Sequence, residues 1–93
     1  MVRNRILAVD DEKNILDLIA FHLSREGFQM TTAEDGEEAL EIIQRAPPDL
    51  VVLDIMLSGL DGLEVCRRIK MDEATRHIPI LLLSAKSEES DIL

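Results

Sequence analysis

Two acidic stretches of this 93-residue chain carry the side chains best suited to chemistry. Asp10-Asp11-Glu12 directly follows the apolar run Ile6-Leu7-Ala8-Val9, and Asp54 directly follows Val51-Val52-Leu53. A hydroxyl, Ser84, follows a third apolar run, Leu81-Leu82-Leu83, in the same way. A single aspartate after a strand is commonly a helix cap or a loop residue. A pair at one strand end, with a third at the end of a neighbouring strand, points to a shared crevice. Carboxylates a few ångströms apart repel, so at least one should hold its proton more tightly unless a cation joins them. A hard divalent ion resolves this, and Mg²⁺ suits one or two carboxylates, several waters and a phosphate oxygen. A carboxylate beside such an ion can attack phosphorus, and a serine hydroxyl can bind an oxygen of the phosphoryl group.

Whether these groups meet depends on the elements that carry them. Residues 6–9 read as a strand. From residue 13 to 26, Ile15, Leu16, Leu18, Ile19 and Leu23 recur at helical spacing, and Gly27 offers a stop just past the helix. Residues 28–32 read as a weak second strand. Asp35-Gly36-Glu37-Glu38 has the spacing of a capping box; Ala39, Leu40 and Ile43 give that helix its buried stripe, and Pro47-Pro48 closes it. Residues 49–54 form a third strand. After the loop Leu57-Ser58-Gly59-Leu60, Asp61 and Glu64 repeat the capping spacing and open a third helix, with Leu63, Val65, Cys66 and Ile69 on its apolar side. Residues 78–83 make a fourth strand, with Pro79 near its start because proline cannot donate to a central ladder. Residues 87–93 look like a helix beginning.

The order is βαβαβαβ. Strands without polar alternation are buried on both faces, which calls for a parallel sheet with helices on each side. Ligands of such sheets bind outside the carboxyl ends of the strands. Right-handed crossovers can set the first and third strands side by side, bringing the three aspartates together.

Composition narrows the function classes. Hydrophobic residues make up 46% and charged residues 31%, enough for one core with a charged surface. Aromatics are only 2%, so the core must be aliphatic. A net charge of −9 argues against direct nucleic-acid binding by this segment and against an anionic membrane surface. No apolar run approaches the ~20 residues that span a bilayer. Cys66 is the single cysteine, which precludes an internal disulfide. With no apolar leader region at the start, a reducing cytoplasm is the expected setting. Cys66 reads as a small core residue, His22 as a surface or packing residue, and His77 as a loop residue.

Three stretches together, Ile6-Leu7-Ala8-Val9-Asp10-Asp11-Glu12, Val51 through Gly62, and Leu81-Leu82-Leu83-Ser84-Ala85-Lys86, resemble the receiver domain of bacterial two-component response regulators. The separation of Asp54 from Ser84 also fits that family. The resemblance implies an α/β fold, a flavodoxin-like doubly wound parallel sheet with strand order 2-1-3-4. It implies that Asp54 is the phosphoacceptor and that a histidine kinase is the donor. Asp11 and Asp54 would bind Mg²⁺ directly with the main-chain carbonyl of Met56, and Asp10 would bind it through water. Ser84 would be the switch hydroxyl, and Met56 and Lys86 would tune the lifetime of the phosphoryl group. Such a domain is a phosphoacceptor rather than an enzyme, with self-catalysed transfer and dephosphorylation expected of the complete fold. In style the chain resembles receivers of winged-helix transcription factors.

Two departures from the family pattern stand out. Ser58 occupies a place where proline is common, although Gly59 and Gly62 still permit a tight loop. The family's fifth strand, last helices, invariant lysine and aromatic switch residue would fall beyond Leu93. Residues 1–93 therefore read as one receiver domain, C-terminally incomplete, with impaired phosphorylation and an exposed fourth-strand edge prone to self-association.

Other readings compete. An aspartyl-phosphate phosphatase of the haloacid-dehalogenase type would carry Asp-x-Asp, whereas this chain has Asp54-Ile55-Met56. A flavin binder would place a Ser/Thr/Gly phosphate loop after the first strand, where Asp10-Asp11-Glu12 would repel phosphate. An inactive receiver-derived fragment or building block would share every motif.

Overall fold

The structure, a computed structural model, describes residues 4–83. The elements run β1 (Arg5–Val9), α1 (Lys13–Arg25), β2 (Gln29–Ala33), α2 (Gly36–Arg45), β3 (Leu50–Asp54), α3 (Gly62–Met71) and β4 (Ile80–Leu83). This is the alternation that the apolar pattern implies. Ser84, Lys86 and the helix expected over residues 87–93 lie outside the described residues.

Several boundaries differ from the pattern: β1 starts one residue earlier than expected, β3 starts one later and α1 ends one earlier. β2 starts and ends one residue later than expected, in register with β1 from Arg5↔Gln29 to Val9↔Ala33. β4 begins at Ile80 rather than at residue 78. Pro79 has no N–H to give, and the Ile78 N–H is taken by the Thr75 carbonyl at 3.0 Å. The Pro79 carbonyl still accepts from the Val51 N–H at 3.1 Å, so ladder contact with β3 begins just before the strand.

Helix ends follow local rules. Asp35 and Asp61 cap α2 and α3, accepting from the N–H groups of Glu38 (2.7 Å) and Glu64 (2.8 Å). Neither cap closes as a reciprocal box. The Glu38 carboxylate reaches the Glu34 N–H instead, one residue ahead of the cap. Glu64 turns along its helix to Arg67 and Arg68, whose hydrogen bonds hold its carboxyl down to about 2. Gly27 follows α1 with φ +96°, the left-handed conformation that ends a helix at little cost only for glycine.

The four strands are parallel in the order β2-β1-β3-β4. The chain moves one way from β1 to β2, then back across the sheet to β3 and β4. Right-handed crossovers therefore set α1 on one face and α2 and α3 on the other. Strand side chains alternate between the faces. Leu7, Val9, Val51 and Leu53 join Ala39 and Ile43 of α2 and Val65 and Ile69 of α3 in the larger core. Ile6, Ala8 and Val52 are buried on the α1 side, as is Leu16.

Leu18 and Leu63 were expected on buried stripes, and the structure corrects both: they are 58% and 55% exposed. Each lies two positions from a buried residue of its helix, Leu16 or Val65, so it points about 200° around the axis from that contact. Phe21 is likewise exposed, edge-on to His22 and beneath the Arg25 guanidinium. Cys66 is half-buried in contact with the larger core, and His22 and His77 are both exposed.

Candidate functional site

The register between β1 and β3 builds the site. Val9 pairs with Leu53, so the next residues along the two parallel strands are Asp10 and Asp54. Both are only 4% exposed, while Asp11 is exposed at the rim. One carboxylate oxygen from each of Asp10, Asp11 and Asp54 lies within 4.8 Å of the others. The convergence expected from the strand ends is present.

Local turns aim the two buried carboxylates. The Asp10 N–H donates to the Ala33 carbonyl at 3.2 Å, tying the strand end to β2. Asp10 Oδ1 accepts from the Glu12 N–H at 2.9 Å, and Asp54 Oδ1 accepts from the Met56 N–H at 3.0 Å. Each aspartate thus uses one oxygen to brace its own turn. Sequence reasoning overlooked this pinning, although an aspartate that hydrogen-bonds the backbone two residues on is a recognised turn signal. The Met56 side chain is exposed, and its N–H faces Asp54. The Leu83 carbonyl accepts from the Ile55 N–H at 2.9 Å, so β4 ends beside the turn after Asp54. Ser84, the next residue, lies outside the described residues.

The electrostatics agree in sign with the crowding argument and differ in cause. The Asp10 carboxyl is pushed above its ordinary value, first by burial. The Glu12 N–H opposes that rise, and the charges of Asp54, Asp11 and Glu12 add to it. Burial therefore outweighs the repulsion from any single neighbouring carboxylate, because Asp10 is only 4% exposed and not in open water.

An all-oxygen, acidic, partly buried donor set of this kind fits a small hard dication such as Mg²⁺. It is the wrong environment for an anionic phosphate held without a metal. The second acidic group beside Asp54 comes from β1 and not from the position two residues on. That arrangement departs from the Asp-x-Asp plan of a haloacid-dehalogenase phosphatase.

Comparison with known proteins points the same way. The family described as the response regulator receiver domain matches residues 6–93. The chain is 47% identical over 90 residues to the alkaline phosphatase synthesis transcriptional regulatory protein PhoP of Bacillus subtilis, covering 97% of this chain and 37% of that protein. It therefore spans little more than a third of that relative's length. Among solved structures, the N-terminal domain of a response regulator receiver protein from Methanoculleus marisnigri JR1 superposes with a TM-score of 0.85 at 49% identity, over 91% of this chain and 69% of that one. The chemotaxis protein CheY4 of Vibrio cholerae gives a TM-score of 0.87 at 30% identity, over 94% and 72% of the two chains. Among the described residues no helix is long and apolar enough to cross a membrane. With the 2-1-3-4 parallel sheet and the aspartates at its carboxyl edge, these matches establish that the chain belongs to the receiver-domain family of two-component response regulators.

Proposed function

We propose that this chain accepts a phosphoryl group on Asp54 with Mg²⁺ and so carries a two-component signal. The observation that supports this most is the meeting of Asp10, Asp11 and Asp54 within 4.8 Å at the end of β1 and β3. When bound, Mg²⁺ would offset the charge gathering on the phosphoryl oxygens. Asp11, Asp54 and the Met56 main-chain carbonyl are the proposed direct ligands, with Asp10 acting through water.

The chemistry assigned to the chain's own groups is limited. Asp54 Oδ1 is engaged by the Met56 N–H, which directs the carboxylate's other oxygen to attack. That oxygen forms a bond to phosphorus as the bond from phosphorus to the donor's imidazole nitrogen breaks. The electron pair leaves with the imidazole, and the product is an aspartyl phosphate. Most of the work is positioning and charge balance. Ser84 is the proposed hydroxyl that then binds a phosphoryl oxygen.

The proposed donor is a histidine kinase, and the proposed setting is the cytoplasm. The similarity to a transcriptional regulatory protein suggests that a transcriptional output follows from this signal. Self-association through the edge of β4 that is unpaired among the described residues is a further proposal. Ile80, Leu81 and Leu83 are each only partly buried there, and an apolar strand edge readily recruits another strand.

The deciding experiment is incubation with acetyl phosphate and Mg²⁺, read by intact mass and peptide mapping. A single phosphoryl adduct on Asp54, absent in D54N and absent without Mg²⁺, supports the proposal. A metal-independent adduct, or one on another residue, would overturn it.

A further inference from the structure

The aspartates do not hold their places unaided; two glycines let the surrounding backbone close on them. A Cβ built on Gly62 would lie 2.3 Å from the Asp54 carbonyl oxygen and 2.8 Å from the Ile55 Cα. Both are main-chain atoms that cannot swing aside. The Gly62 N–H also donates to the Ile55 carbonyl at 3.1 Å, so the first residue of α3 sits directly against the turn after Asp54. On the far side of the same loop, a Cβ on Gly36 would lie 2.6 Å from the Leu60 carbonyl oxygen and 2.7 Å from Val65 Cγ2. Gly36 is the first residue of α2, so α2 closes on the loop there as α3 closes on Asp54. Neither glycine has a positive φ, so close approach, and not backbone conformation, is what requires them.

We propose that Gly62 and Gly36 are positioning residues for the metal and phosphoacceptor site, clamping the segment from Asp54 to Leu60 between α3 and α2. Resting on the function proposed above, this makes the seating of α2 a determinant of metal affinity, although α2 contributes no carboxylate to the site. A methyl at residue 62 must push Asp54 and Ile55 outward. That moves the Asp54 carboxylate and the Met56 main chain relative to Asp10 and Asp11. A methyl at residue 36 acts one step further off, through Leu60, so its effect is smaller. Shifts of a few tenths of an ångström matter for Mg²⁺, which tolerates little departure from its preferred coordination.

The test separates positioning from folding. The chain has no Trp or Tyr, so Mn²⁺ binding is followed by electron paramagnetic resonance and Mg²⁺ binding by calorimetry. Thermal melts are recorded for each variant. The variants are Gly62→Ala, Gly36→Ala and a control, Gly27→Ala. Gly27 has φ +96° and nothing within 4 Å of a built Cβ, so alanine there strains the backbone away from the site. The expected result is a loss of at least tenfold in Mn²⁺ and Mg²⁺ affinity for Gly62→Ala. Gly36→Ala should lose severalfold, and Gly27→Ala should keep wild-type affinity despite a lower melting temperature. Wild-type affinity in folded Gly62→Ala would overturn the proposal, as would an equal loss in Gly27→Ala. If Gly62→Ala does not fold, Gly36→Ala decides alone, and unchanged affinity there overturns the proposal. Failure of the wild-type chain to bind either ion would instead overturn the metal-site reading itself, and this proposal with it.

Discussion

Replacing Asp54 by asparagine should stabilise the metal-free fold and abolish its response to Mg²⁺. Asparagine keeps the shape of the side chain and an Oδ1 acceptor for the Met56 N–H, now at 3.0 Å, so the turn survives. What disappears is one of three charges whose oxygens lie within 4.8 Å. Two like charges at such a distance repel by about 1 kcal/mol in water-like surroundings and about 3.5 kcal/mol at an effective dielectric constant of ~20. Asp11 is exposed and screened, so the buried Asp10–Asp54 pair sets the scale. A net gain of about 1–3 kcal/mol follows, after allowing for burial of the new amide. In a domain of this size each kcal/mol moves the melting temperature by roughly 4–8 °C. Circular dichroism melts at neutral pH in EDTA should therefore place D54N above wild type. Adding Mg²⁺ at about ten times its dissociation constant should raise wild type by about 1.4 kcal/mol, or roughly 6–11 °C, and leave D54N nearly unmoved. A D54N melt below wild type in EDTA, or an equal Mg²⁺ response in both, would refute the reasoning.

The raised carboxyl of Asp10 makes its ionisation costly to the folded state. The cost is absent below the ordinary value of 3.8, grows as pH rises through the raised folded value, and is constant above it. Metal-free D10N should thus be more stable than wild type at neutral pH and lose that advantage as pH falls toward about 4; urea unfolding across that range checks it, and a pH-independent difference would count against it. Removing the α2 cap with Asp35→Ala should cost about 1 kcal/mol while leaving Mg²⁺ affinity within about twofold, since it puts no new atom between α2 and the loop at Leu60; a large affinity loss would show that the cap also seats the loop. Sedimentation equilibrium at rising concentration should reveal association that charged substitutions at Leu81 weaken, and a stable monomer at high concentration would argue against pairing through β4.

Much of this protein is legible one element at a time. The apolar runs, the Asp35 and Asp61 caps and the Gly27 stop act within a few residues of themselves, so chain order alone yields βαβαβαβ. The aspartates stand out because a pair after one apolar strand and a third after another exceed what caps and turns ordinarily need. Leu18 and Leu63 were misjudged because helical spacing marks an apolar side without saying how wide a strip the sheet will cover. Only the pairing of β1 with β3 sets Asp10 beside Asp54, across more than forty intervening residues. Only packing makes burial the largest single cause of the raised Asp10 carboxyl, with repulsion adding to it. The contacts at Gly36 and Gly62 were equally hidden, because close approach of two backbones leaves no mark on either segment alone. Local propensities are written along the chain, whereas distances between its distant parts exist only once the sheet has formed.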